Sequence, residues 1–259
     1  MTERTAITPH IHRLVIPFLD IYTTVFLIET PDGALLFDTA TYPEDADNYI
    51  LPAFRELGIS PDTLHCVVVS HNHRDHAGSL PRIHQEFPEA FLLTGSAKLR
   101  EQYPDANFLS AEDGTKVLNV LEVVTIPGHT GDAIGILDTR TGTLLSGDGL
   151  QLFGIYGSGK WGANISRPAA HRRAVEKLRS LPLNTIAASH DYHPGGHIAR
   201  GKAEINAYLS ACTEALDCIR DAILRHPEQD DETLAAEYNR TSGLPTVAPH
   251  VFAAVRKTI

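Results

Sequence analysis

The sequence predicts an α/β fold built on mixed sheets. Short runs rich in Val, Ile and Leu are bounded by Pro, Gly and Asp, the signature of strands closed by turns. Between these runs lie stretches whose apolar residues recur at helical spacing. Several of the apolar runs also end in a small residue followed by a histidine or aspartate, as side chains presented at a sheet edge do.

In order along the chain, residues 11–16, 24–29 and 34–38 read as strands, with Pro31-Asp32-Gly33 turning the second into the third. From 44 to 57, Ala46, Ile50, Leu51, Phe54 and Leu57 share a helical face, and Gly58 supplies the stop. A strand at 65–70, a helix at 79–87 and a strand at 90–94 follow. The second half repeats the order, with strands at 116–126, 133–138, 143–146 and 185–189 and a helix at 168–181. Ile205, Leu209, Cys212, Leu216, Ile219 and Ile223 then form one stripe on a helix over 203–225. Such a stripe must cover something apolar: the first reading is core packing, and a lid or a homodimer contact is the second. No linker interrupts the sequence, so 1–259 reads as a single domain in which 200–259 is a helical C-terminal extension.

Formal net charge is -10, which repels phosphate-rich polymers. Lys160, Arg167, Arg172 and Arg173 are too few to offset it with a basic patch, so no nucleic-acid partner is expected. The cysteines, Cys66, Cys212 and Cys218, are odd in number and show no C-x-x-C spacing, which excludes a disulfide framework. No apolar stretch approaches the ~18 residues of a membrane span, and the N-terminus lacks a signal-peptide pattern. The expectation is a cytoplasmic protein with no membrane partner and a small-molecule substrate.

The chemistry is concentrated at residues 71–76, His-Asn-His-Arg-Asp-His, directly after the apolar run Cys66-Val67-Val68-Val69. Imidazole nitrogen and carboxylate oxygen are zinc ligands at about 2.0–2.2 Å, and a tetrahedral site takes about four of them with one position open for catalysis. So dense a cluster is too rich for one ion, and two metals are the economical reading. Three more candidates end apolar segments: His129 in Ile126-Pro127-Gly128-His129-Thr130-Gly131, Asp148 in Leu144-Leu145-Ser146-Gly147-Asp148-Gly149, and His190 in Ile186-Ala187-Ala188-Ser189-His190. Arg74, inside the motif, reads as a solvent-facing non-ligand.

This ordered H-x-H-x-D-H, H, D, H pattern resembles the metallo-β-lactamase superfamily of metal hydrolases. The similarity extends to Phe26-Leu27-Ile28, Pro31-Asp32-Gly33 and Leu35-Leu36-Phe37-Asp38-Thr39, which look like that family's early hairpin and acidic strand end. The resemblance implies an αββα sandwich with C-terminal helices. It also implies a ligand set: His71, His73 and His129 on one ion, Asp75, His76 and His190 on the other, and Asp148 between them. Two divalent ions are implied, zinc first, with iron and manganese open. Asp75 doubles as the catalytic proton acceptor, and Asp38 either fixes a ligand histidine through its other ring nitrogen or caps a strand. Asp191 and His193 neighbour a ligand and are candidates for tuning it.

The sequence departs from many relatives after Gly128-His129-Thr130, where Gly131-Asp132-Ala133 replaces a second Gly-His pair. It also lacks the tyrosine that lactonases of this family carry shortly after the bridging aspartate. Tyr156 and Tyr192 are the candidate replacements for substrate binding. The implied function is hydrolysis of a lactone, thioester or related ester-like bond by attack of metal-bound hydroxide. The alternatives are an iron-binding oxidoreductase of persulfide dioxygenase type and a weakly catalytic regulatory or binding protein.

Overall fold

The computed structural model describes residues 3–259, which divide into two compact units. The first runs up to Thr125 and takes in Ile134–Thr141; the second comprises Ile126–Ala133 and Gly142–Ile259.

In the first unit, β1 (Glu3–Thr8), β2 (Ile11–Phe18), β3 (Ile21–Thr30) and β4 (Gly33–Phe37) form an antiparallel meander. The expected turn at Pro31-Asp32-Gly33 closes β3 onto β4, with Gly33 at φ 123, a backbone state that suits glycine. Two parallel strands, β5 (Leu64–Val68) and β6 (Phe91–Leu93), extend this into a mixed six-stranded sheet. Leu14, Val25, Leu27, Leu36 and Val67 from its strands pack with Ile50 and Phe54 into one core.

The helix expected over 44–57 is broken in pitch. It runs as α1 (Pro43–Asp45), a π-helical turn over Ala46–Ile50 and α2 (Leu51–Leu57), ending at Gly58 in the left-handed conformation. Pro52 has no N–H to give the preceding turn, and the widened turn accommodates that loss. Further along lie the short α3 (Arg74–Ala77), α4 (Leu80–Glu86) and α5 (Ala97–Gln102).

The strand expected over 116–126 is a hairpin: β7 (Lys116–Val117) turns back on β8 (Leu121–Thr125), which pairs with β9 (Ile134–Asp138). Leu118 and Asn119 both take positive φ, 45 and 56, at the reversal. The apolar run through Leu118 and Val120 hides this turn, and Asn119, which tolerates left-handed backbone, is its one marker.

In the second unit, β10 (Thr143–Leu145) pairs parallel with β12 (Thr185–His193). The short β11 (Gly154–Ile155) and the strand β13 (Gly196–Arg200) pair antiparallel with β12, so this sheet too is mixed. Around it lie α6 (Pro168–Arg179), α7 (Gly201–Arg225), α8 (Asp231–Ser242) and α9 (Pro249–Arg256). All six residues of the expected stripe on α7 are buried. Its C-terminal part, Leu216, Ile219 and Ile223, packs with Leu234 of α8 and Val251, Phe252 and Val255 of α9. The stripe is therefore core, and its C-terminal part shares an apolar cluster with Ala163 and Ile165.

Phe252 is fully buried in that cluster, so Phe252→Ala is expected to lower stability to urea by about 3–5 kcal/mol. Leu224→Ala, at a 53% exposed position on α7, should stay within about 0.5 kcal/mol of wild type. Equal losses in the two variants would show that the C-terminal helices pack otherwise.

Candidate metal centre

On the first unit the motif is shaped by one buried carboxylate. Asp38 follows β4 at φ 64 and is fully buried. Its Oδ1 accepts the backbone N–H of Ser70 at 2.7 Å, and its Oδ2 accepts the Ser70 hydroxyl at 3.0 Å and lies 2.8 Å from His76 Nδ1. A carboxylate can only accept here, so His76 carries its proton on Nδ1 and keeps the Nε2 lone pair for a ligand role. The Ser70 oxygen, its proton given to Asp38, stands 3.1 Å from His71 Nδ1 and fixes the same tautomer there.

The backbone beneath the motif is equally constrained. Thr39 donates to the His76 carbonyl through both its N–H, at 2.7 Å, and its hydroxyl, at 2.9 Å. The Thr23 hydroxyl donates to the Asp75 carbonyl at 3.0 Å. Gly78 lies so close to this loop that an added Cβ would fall 1.8 Å from the Thr41 carbonyl oxygen. These ties gather the rings: His71 lies 4.6 Å from His73 and 4.3 Å from His76, centre to centre. Asp75 Oδ2 stands 3.3 Å from His76 Nε2. Arg74 is exposed, with its guanidinium over the Tyr42 ring at 4.7 Å.

On the second unit, His129, Asp148 and His190 come together. Asp148 offers one oxygen to each imidazole: Oδ2 lies 3.7 Å from His129 Nε2 and Oδ1 lies 3.4 Å from His190 Nε2. His129 Nδ1 donates to the Asn164 carbonyl at 2.7 Å, which leaves its Nε2 unprotonated and aimed at Asp148. The Asp148 loop is tied in turn by Gln151, whose amide donates to the Asp148 carbonyl at 3.0 Å and to the Tyr192 hydroxyl at 3.1 Å. Gln151 Oε1 accepts the Asn164 N–H at 3.1 Å. Nitrogen and carboxylate oxygen donors with fixed tautomers fit divalent metal ions.

The family model described as the metallo-β-lactamase superfamily matches residues 20–90, from β3 through the histidine motif. The fold aligns with that of a metallo-β-lactamase family protein from Thermus thermophilus at a TM-score of 0.70 and 17% identity, over 97% of this chain and 92% of that one. The chain is similar to the metallo-β-lactamase superfamily over residues 20–90, and it shares the fold of a protein of that family. The α/β class with C-terminal helices expected from the sequence is that of the structure, and the superfamily's αββα sandwich is the fold this likeness gives.

Among relatives in sequence, the chain is 31% identical to the uncharacterized YobT protein of Bacillus subtilis, over 52% of this chain and 66% of that one. It is 30% identical to a hydroxyacylglutathione hydrolase of Nostoc, over 54% of this chain and 56% of that one. These matches span about half to two thirds of the relatives' length.

The two candidate substrate tyrosines differ in setting. Tyr192 is buried, 6.0 Å from the His190 ring, with its hydroxyl engaged by Gln151. Tyr156 is 53% exposed and lines a cavity of about 280 Å³ with Ile155, Ser158, His193, Leu244 and Pro245. Alternation along β12 puts His193 and Asp191 opposite to His190 and Tyr192.

Sequence reasoning passed over Ser70, Gln151, Asn164 and His171. Ser70 could have been found as the polar residue between an apolar strand and the motif. Asn164 acts through its backbone, which no residue-type signal reveals. His171, on α6, is fully buried, and an added Cβ at Gly128 would lie 2.6 Å from its Nδ1.

Two outcomes are expected. Asp38→Asn and, less severely, Ser70→Ala should weaken zinc binding about 10–100-fold, measured by competition with a chromogenic chelator; unchanged affinity in both would remove their positioning role. Desolvation pushes the His171 pKa down to about 4, so the folded state refuses a proton that the unfolded chain takes up near its ordinary value. Stability should therefore fall as pH drops from about 6.5 to 4, by on the order of 2–3 kcal/mol, and His171→Gln should flatten that window in urea titrations.

Proposed function

We propose that the chain is a dinuclear metal-dependent hydrolase that opens a thioester or related ester-like bond of a small molecule. In this reading His71, His73 and His129 hold one divalent ion and Asp75, His76 and His190 the other, with Asp148 shared, and zinc is the expected metal. The observation that carries the reading is Asp148, whose two oxygens each face a different proposed ligand imidazole, so that it would be available to both ions. The 30% identity to a hydroxyacylglutathione hydrolase favours a thioester over the other carbonyl substrates.

When bound, the ions supply Lewis acidity that makes water a nucleophile near neutral pH. The side chains do the rest. Asp38 and Ser70 hold His76 and His71 in the ligand tautomer, and the Asn164 carbonyl does the same for His129. Asp75, 13% exposed, orients the attacking water and takes its proton. The acyl carbon gains the oxygen of water, its bond to sulfur or oxygen breaks, and the leaving group departs with the proton.

Elemental analysis of metal-replete protein should give close to two ions per chain, with turnover in a panel of thioesters, lactones, β-lactams and phosphodiesters falling on the first two. A reproducible maximum of one ion removes Asp148 from its shared role, and iron with a visible absorption band supports redox chemistry instead. Asp75→Asn keeps size and loses proton-accepting capacity, so kcat should drop by about 10²–10⁴ at saturating zinc. Near-wild-type kcat at full occupancy would leave Asp75 as a ligand only.

A further inference from the structure

Gln151 is the only polar side chain between Asp148 and Phe153, and it is buried, 3% exposed. An amide in that setting must find protein partners for two N–H donors and one oxygen, because water does not reach it. It finds them on three separate segments. Nε2 donates to the Asp148 carbonyl at 3.0 Å and to the Tyr192 hydroxyl at 3.1 Å, and Oε1 accepts the Asn164 N–H at 3.1 Å. The amide fits only this way round. Flipped, it would set its NH2 against the Asn164 N–H and its oxygen against the Asp148 carbonyl.

Each of the three segments carries or holds a proposed ligand. The first is the loop of Asp148 itself. Asn164 accepts the His129 Nδ1–H through its own carbonyl at 2.7 Å, which sets the His129 tautomer. Tyr192 lies on β12 two residues beyond His190 and on the same face of the strand, its ring 6.0 Å from that imidazole. A hydroxyl or an imidazole cannot meet all three demands at once, and an ionised glutamate has no donors. Glutamine is the side chain whose chemistry and length match them together.

We propose that Gln151 is a positioning residue that couples His129, Asp148 and His190, so that one side-chain amide presets the ligands of the second unit. This inference rests on the hydrolase reading and deepens it. Both ends of the amide are committed to the protein, so Gln151 acts on metal binding and turnover through the ligands and not by touching substrate.

The first readout is the His129 tautomer in metal-free protein, seen by nitrogen NMR of isotope-labelled histidine above about pH 8, where imidazoles are neutral. The Nδ1–H form should dominate in wild type and in Gln151→Glu, which keeps an acceptor for the Asn164 N–H. It should mix with the Nε2–H form in Gln151→Met, which has similar length and no amide. The second readout is zinc affinity by chelator competition, which Gln151→Met should lower about 10–100-fold. Tyr192→Phe should lower it less, and should add nothing in the Gln151→Met background, because its effect runs through the amide. Should Gln151→Met not fold, Gln151→Asn, whose amide is too short to reach all three partners, takes its place with the same expectations. Leu178→Ala, a buried change on α6, which none of these hydrogen bonds touches, should lower stability and leave tautomer and affinity unchanged. An unaltered tautomer and zinc affinity in Gln151→Met overturn the coupling, as does an equal effect of Leu178→Ala, and both leave the hydrolase standing where wild type turns over its esters. Loss of the tautomer preference in Gln151→Met, with no ester hydrolysed by wild type, keeps the coupling and overturns the hydrolase.

Discussion

The first unit is organised around the burial of the Asp38 carboxylate. A carboxylate with no exposure is tolerable only where donors replace the water it has lost. Three do so: the Ser70 N–H, the Ser70 hydroxyl and the His76 ring. Each of these donors is attached to the histidine motif, so satisfying Asp38 places the motif. The same demand reaches the backbone. Asp38 and Ala40 take left-handed φ values of 64 and 62, a strained choice for residues with a Cβ, and this turn delivers the Thr39 donors and the Ala40 carbonyl to His76 and Gly78. Strain there is offset by the ligand geometry it produces.

The second unit meets the same need by other means. His129 uses the Asn164 carbonyl, so the position of one backbone oxygen becomes a condition on a proposed ligand. The segment bearing that oxygen is held from several sides. Gln151 accepts the Asn164 N–H, the Gly162 N–H donates to the Thr246 carbonyl at 2.9 Å, and the Thr246 hydroxyl donates to the Lys160 carbonyl at 2.9 Å. His250, at the start of α9, lies 2.9 Å from the Asn164 side-chain oxygen. The C-terminal extension therefore braces the loop behind His129, and the apolar packing of α7, α8 and α9 serves the ligand geometry through it.

Much of the candidate site was legible in the sequence because the proposed ligand chemistry restricts residue type. His71, His73, Asp75 and His76 announce themselves by density, and His129, Asp148 and His190 by standing after apolar strands. Five of the six strands of the first sheet were legible for the same kind of reason, since β-branched residues with turn chemistry between them have few other uses, whereas β1 was not expected. What stayed hidden works through the backbone or through long-range contact. Asn164 contributes a carbonyl that any residue has. Leu118 and Asn119 reverse the chain inside an apolar run, where hydrophobic pattern overrides turn signal. Pro52 sits inside an otherwise helical pattern, and the tertiary fold keeps the helix going by changing its pitch.

The crowding of the first-unit imidazoles has an energetic meaning. Rings 4.3 and 4.6 Å apart, with Nδ1 of His71 and His76 committed to Ser70 and Asp38, bring their remaining ring nitrogens into one small region. Asp148 on the second unit likewise concentrates acceptor character between two imidazoles. A divalent cation is the group that turns such arrangements from a penalty into a gain, since deprotonated ligands held in place bind metal with little further reorganisation. The interactions that position these ligands therefore draw on folding stability in advance, which lowers the reorganisation left for metal binding, and Asp38 is where that demand is most concentrated.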